Sequence, residues 1–204
     1  IILITSIYII NKTIQPIHVV LPYQFIELTK RRFSTFFDEG IVAHVGFSEP
    51  VCASLADVLE EAGRSAGATL HRGGTYVCME GPQFSTKAES RLYRQWGVDV
   101  IGMTNMPEAK LAREAELCYA TMALATDYDC WHETEEAVTV GAILATLHRN
   151  VALAKEILKR AVPKVDPDRA CACRQALATA LITAPDKMSA SAKRRVNLLI
   201  APYV

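Results

Sequence analysis

The 204-residue chain has no charge of either sign to spare: 22 basic side chains are matched by 22 acidic ones. A formal net charge of zero leaves no electrostatic footprint for nucleic acid or an anionic membrane surface, and neither is expected as a partner. The longest basic cluster, Lys30-Arg31-Arg32, reads as a solvated loop rather than a phosphate grip. Long apolar runs are missing too. The opening IILITSIYII is apolar for ten residues, whereas a membrane-spanning helix needs about 20, and no basic region precedes it as in a secretory signal. It reads as a buried strand. A start without methionine suggests a fragment whose preceding chain is missing.

No paired C-x-x-C occurs among the six cysteines. Cys52, Cys78, Cys118 and Cys130 sit singly in different expected elements, a pattern of scattered core thiols in a reducing, cytoplasmic compartment rather than a secreted disulfide framework. Cys171 and Cys173 form a C-x-C without the ligand spacing of a zinc site, and read either as two thiols on a helix or as a redox pair. No internal repeat or low-complexity linker divides the chain. Half of its residues are apolar, enough for the core of a single domain over 1–204, with 164–204 an expected helical tail.

Residues 1–26 predict two strands, the second near His18 to Ile26. SEPVCASLADVLEEAGRSAG carries a helix start at Ser48, Glu49 and Pro50 and a stop at Gly67. TYVCME predicts a short buried strand. STKAESRLYRQWG predicts a helix capped by Ser85 or Thr86 and ended by Gly97. Strand VDVIGM, helix PEAKLAREAE and strand CYATMALAT follow. The long helix EEAVTVGAILATLHRNVALAKEILKRAV has Val140, Ile143, Leu144, Leu147, Val151, Ala154 and Leu158 at three- and four-residue steps. Short apolar strands alternating with helices predict an α/β fold with a mixed, mostly parallel sheet flanked by helices.

Ligands of open α/β sheets gather at the carboxyl ends of strands. Three such ends carry chemistry: Glu80, Phe84 and Ser85; Met103 and Thr104; Asp127 and Asp129. Together they offer a pocket for a flat heterocycle on a sugar. In an extended strand Asp127 and Asp129 share one face. Two adjacent carboxyls in an apolar pocket resist joint ionisation, so one could donate a proton or hydrogen bond near neutrality. Asp-Tyr-Asp could equally cap a turn, and a metal site from Asp127, Asp129, Cys130 and His132 is a third option with irregular spacing.

The stretch EGPQFSTKAESRLYRQWGVDVIGMTNMPEAKLAREAELCYATMALATDYDCWHETEEAVTV resembles the 5'-methylthioadenosine phosphorylase family, within the trimeric purine nucleoside phosphorylases. The likeness extends upstream through IQP, QFIELT, FF and AHVGFSEPVC, over residues 14–163. It implies a pentosyltransferase of purine and methionine salvage. Phosphate would attack C1' of the nucleoside, releasing adenine and 5-methylthioribose 1-phosphate. No organic cofactor or metal is implied, and inorganic phosphate is the cosubstrate. By motif position, Asp127 would face N7 as general acid and Asp129 would accept from the 6-amino group, flanked by Tyr128. Ser85 and Asp127 stand where relatives acting on 6-oxopurines have Glu and Asn.

Phe84 and Ile101 would pack on the base, Met103 under the ribose, and Thr104 on phosphate. Val140 and Ile143 would accommodate the methylthio group, an apolar preference of about 1–3 kcal/mol. His44 would be lent to a neighbouring subunit of a homotrimer of the full-length protein. The family's Gly-rich phosphate loop, an Arg-His pair and a Thr-Ala segment have no counterpart here; residues 1–13 replace a small-residue turn, and Tyr23 and Leu28 replace an acid and an arginine. Alternatives are therefore a methylthioinosine or ordinary purine nucleoside phosphorylase, or a non-catalytic truncated homologue.

Overall fold

A computed structural model describes residues 1–132 and 140–204. The strands are β1 (Ile2–Ile9), β2 (Val19–Leu21), β3 (Gln24–Glu27), β4 (Leu70–Arg72), β5 (Thr75–Cys78), β6 (Val100–Gly102) and β7 (Ala120–Tyr128). The helices are α1 (Ala53–Ser65), α2 (Lys87–Gln95), α3 (Glu108–Glu114), α4 (Val140–Ala161), α5 (Ala190–Arg195) and α6 (Asn197–Ile200). All seven strands form one sheet in the order β3-β5-β6-β1-β7-β2-β4. Four neighbouring pairs are parallel, and β1/β6 and β2/β7 are antiparallel. The mixed α/β architecture is the expected one.

The strand expected from His18 to Ile26 is two strands. Pro22 has no N–H to give to a ladder, and beyond it Tyr23 and Gln24 both donate to the Gly74 carbonyl. The partner segment bends at the same level through Gly73 and Gly74, whose φ angles are +99° and +86°. The short strand β4 before this bend had no counterpart in the sequence reading. The parallel ribbon β2/β4 thus continues as β3/β5 and joins the two ends of the strand order. The sheet is curled, not flat.

Strand β7 is buried on both faces over Ala120–Ala125, which explains a sequence apolar there but for Thr121. Met122 and Leu124 face Leu55, Leu59, Ala154 and Ile157 of α1 and α4; Ala123 and Ala125 face Tyr76, Ala109 and Ala112. Helix α2 begins at Thr86, whose hydroxyl accepts from Glu89 N at 3.2 Å while the Glu89 carboxylate accepts from Thr86 N at 2.7 Å. This capping box satisfies two donors that the helix end would otherwise leave open. Gly67 and Gly97 close their helices at φ +76° and +73°.

Two expectations need correction. The inward line of α4 is Asn150, Ala154, Ile157 and Ala161, whereas Leu144, Leu147 and Val151 are exposed. Buried Asn150 sets this rotation by donating its amide to the Ala125 carbonyl of β7 at 3.0 Å. The side chains of Val140 and Ile143 lie outside the described part. The cysteines are also not scattered. Cys52 and Cys118 meet Cys171 and Cys173 of the tail, a convergence of three distant segments that no local spacing announces. The tail itself holds α5, α6 and short 3-10 turns at 172–175 and 185–187. It packs through Leu177, Met188 and Ile200 on Phe37 and Ile41. Among the described residues, no helix is long and apolar enough to cross a membrane.

His18 Nδ1, just before β2, accepts from Gln15 N at 3.1 Å and lies 2.9 Å from His71 Nε2 on β4. Burial, and then the neighbouring His71, hold the His18 pKa below its ordinary 6.5. As pH falls through about 6.5 the unfolded chain takes up this proton and the folded chain resists, so stability declines on acidification until the lower folded pKa is passed. Urea melts between about pH 7.5 and pH 5.5 should show this decline, and His18→Gln should reduce its slope.

Candidate active site

Strands β1 and β6 pair at two positions only, Tyr8↔Ile101 and Ile9↔Val100. β1 stays paired with β7 along its whole length, but its other edge parts from β6 beyond Tyr8. A cleft of about 250 Å³ opens in this split. Thr5, Ser6 and Tyr8 line it from β1, Ile101 to Thr104 from the end of β6, Met79 and Phe84 from the segment after β5, and Asp129 from the end of β7.

Continuing the β1/β6 register sets Thr5 opposite Thr104. Hydroxyls bridge the gap there: Thr104 Oγ1 donates to Thr5 Oγ1 at 2.7 Å, and Tyr76 Oη lies 3.2 Å from Thr104 Oγ1 and accepts from Thr104 N at 3.3 Å. Burial raises the Tyr76 pKa and keeps the phenol a neutral hydrogen-bonding group. Gly102 makes this possible, since a Cβ there would overlap Tyr76 Oη.

The Met103 segment is fastened from an unforeseen direction. Arg32 is not part of a solvated loop. Its guanidinium donates to the carbonyls of Met103 at 2.8 Å, Met106 at 2.7 Å and Glu80 at 3.0 Å, and pairs with the Glu80 carboxylate at 3.3 Å. Charge-assisted bonds to two strand-end loops fix their spacing. Beside them Gly81, at φ +73°, leaves the room that Met103 Sδ fills.

At the end of β7, Asp127 stands opposite Tyr8 after a bulge at Thr126 of β7, and Asp129 N donates to Ile9 O at 3.0 Å. Burial, then Asp127, then Asp129 push the Tyr8 phenol above its ordinary value of 10.0; both carboxyls therefore approach one phenol. They differ in setting. Asp129 is 6% exposed, and its Oδ2 has no donor among the described residues. Asp127 is half-buried, with Oδ1 accepting from Tyr128 N at 2.7 Å. An unpaired buried acceptor costs about 1–3 kcal/mol, and more when charged.

Of the sequence-predicted residues, Phe84, Ile101, Met103, Thr104 and Asp129 line the cleft. Phe84 is 62% exposed and meets Tyr8 edge-on at 5.2 Å. Ser85 is set beside it, its hydroxyl 3.9 Å from Met79 Sδ. Asp127 is beside Tyr8 but does not itself line the cleft, and Tyr128 stacks on His132 at 4.2 Å. His44 is exposed and outside the cleft. Asp127, Asp129, Cys130 and His132 do not converge as a metal set. Thr5, Ser6, Tyr8 and Met79 were missed. Their signal was the Thr-Ser pair and Tyr interrupting an otherwise apolar strand.

The family profile of the phosphorylase superfamily matches residues 1–163. The match begins upstream of residue 14, where the sequence reading began the likeness. The S-methyl-5'-thioadenosine phosphorylase of Geobacter sulfurreducens is 54% identical over 205 residues, covering 100% of this chain and 72% of the relative. A crystal structure of methylthioadenosine phosphorylase from an Antarctic soil metagenomic library superposes with a TM-score of 0.93 at 44% identity, over 97% of this chain and 70% of that one. A mutant adenosine/methylthioadenosine phosphorylase from Schistosoma mansoni, solved with adenine, gives a TM-score of 0.78 at 27% identity, over 98% and 72%.

Two substitutions test the architecture of the cleft. Gly102→Ala should lower stability by about 1–3 kcal/mol through forced displacement of Tyr76. Arg32→Met should lower it by about 1–3 kcal/mol by stripping donors from the strand-end carbonyls. Denaturant midpoints read both, and wild-type midpoints would contradict the assigned contacts.

Proposed function

Because the chain belongs to the phosphorylase superfamily and, within it, to the S-methyl-5'-thioadenosine phosphorylases, we propose that its cleft binds 5'-methylthioadenosine for phosphorolysis. The products are adenine and 5-methylthioribose 1-phosphate, inorganic phosphate is the cosubstrate, and no organic cofactor takes part. One observation carries the reading: a buried Asp129 oxygen without a donor among the described residues stands at a cleft of aromatic and thioether side chains. The 6-amino group of adenine supplies a donor to it; the oxygen of a 6-oxopurine does not.

In this reading the purine lies between Phe84 and Ile101, with Ser85 and Tyr128 at its edge, and the ribose rests on Met103. A phosphate oxygen bonds to C1' as the C1'–N9 bond breaks. The bonding pair enters the purine, and the proton of Asp127 passes to N7, so adenine departs neutral. Supply of that proton is worth about 10²–10⁴-fold in rate. Thr104, with Thr5 and Ser6 beside it, receives phosphate. Val140 and Ile143 are assigned to the methylthio group. Exposed His44 and the exposed Leu144, Leu147 and Val151 of α4 suit subunit contacts in a cytoplasmic homotrimer of the full-length protein.

A second reading, nucleoside binding without turnover, has its own support. The cleft lining among the described residues contains no lysine or arginine, which is little with which to hold a phosphate dianion. Base release from methylthioadenosine, adenosine and inosine, each with and without phosphate, separates the two. Phosphate-dependent adenine release is expected; bound nucleoside without release would favour the second reading, and preference for inosine would refute the Asp129 role. Asp127→Asn should lower kcat about 10²-fold or more, while Asp129→Asn should cost at least about tenfold in 6-amino over 6-oxo discrimination.

A further inference from the structure

Four thiols meet at a second place, apart from the cleft. Cys52 is the N-terminal cap of α1, Cys118 lies two residues before β7, and Cys171 and Cys173 open the 3-10 turn of the tail. Cys171 Sγ is 3.5 Å from Cys52 Sγ and 3.5 Å from Cys118 Sγ. All four sulfurs lie within 4.8 Å of one another, and none is in a disulfide.

The spacing discriminates between chemistries. A disulfide brings two sulfurs to about 2.05 Å. A tetrahedral ion with metal–sulfur bonds of about 2.3 Å sets six sulfur–sulfur edges of about 3.8 Å. Mutual proximity of four sulfurs, two pairs at 3.5 Å and all within 4.8 Å, fits the second pattern, because a pair of disulfides would not need every thiol close to every other. All-sulfur tetrahedral sets favour zinc or iron over harder ions, and four protein ligands leave no open position for catalysis.

The surroundings agree. Cys52 and Cys173 are buried, packed with Leu55, Ala120 and Val165. A divalent ion with four thiolates carries two negative charges, and Arg169 is the adjacent cation, set against Cys118 and Cys52. Its Nε is buried and has no acceptor among the described residues.

We propose that Cys52, Cys118, Cys171 and Cys173 form a structural tetrathiolate site for one zinc ion, which fastens the tail to the start of α1 and the entry of β7. Binding displaces the four thiol protons to solvent and leaves every sulfur at its oxidation level. The site is independent of the nucleoside cleft.

The test is elemental analysis of the 204-residue chain purified under reducing conditions with zinc supplied and then dialysed. One zinc per chain is expected, with the four clustered thiols unreactive to Ellman's reagent until a strong chelator is added. Substitution by Co²⁺ should give the intense visible bands of tetrahedral sulfur coordination. Cys118→Ser and Cys173→Ser should each lose the ion and melt at lower temperature. The wild-type stoichiometry decides even if these variants fail to fold. Zinc-free protein after supply of the ion, iron in its place, or thiols that oxidise pairwise to disulfides without ever retaining metal would each overturn the assignment.

Discussion

The parting of β1 from β6 after the Tyr8–Ile101 pair is the constraint on which the cleft depends. Inside a sheet, strand edges that lose their backbone partners need other partners. Here the Thr5, Thr104 and Tyr76 hydroxyls bridge the two strands, with Gly102 admitting the phenol. The gap is wide enough for a ligand yet stays closed to general collapse. Arg32 holds the loops beyond β5 and β6 from outside, through the carbonyls of Glu80, Met103 and Met106. Fold stability and site geometry are therefore the same set of contacts.

Charge enters where that gap meets the end of β7. Apolar burial of the strand brings Asp127 and Asp129 to the boundary of the core, and Tyr8 senses both. A buried Asp129 oxygen without a donor among the described residues is unfavourable for the isolated fold. A ligand amine that satisfies it would recover that penalty on binding, whereas a ligand oxygen would add repulsion. Selectivity of this kind comes from an unmet hydrogen bond more than from added contact area.

Much of the order from Thr75 to Tyr128 was legible because its signals are local. The Thr86–Glu89 capping box, the left-handed Gly97 and the two-sided burial of β7 each follow from neighbouring residues. The break at Pro22, three-residue β4 and the rotation of α4 about Asn150 were not, since each is decided by a distant carbonyl or strand. The same distinction runs through the site. Phe84, Met103 and Asp129 sit at recognisable strand ends, while Thr5, Ser6 and Tyr8 hide in an apolar strand. The basic run at Arg32 and the separate cysteines acquire meaning only when the chain is folded.

The central claim is that Asp129 Oδ2 is reserved for an exocyclic amine at the end of this cleft. Titration calorimetry with adenine and hypoxanthine, which differ at the 6-position while sharing shape, tests it without requiring turnover. The account predicts adenine binding at least about tenfold more tightly. Equal affinities, or tighter binding of hypoxanthine, would contradict it.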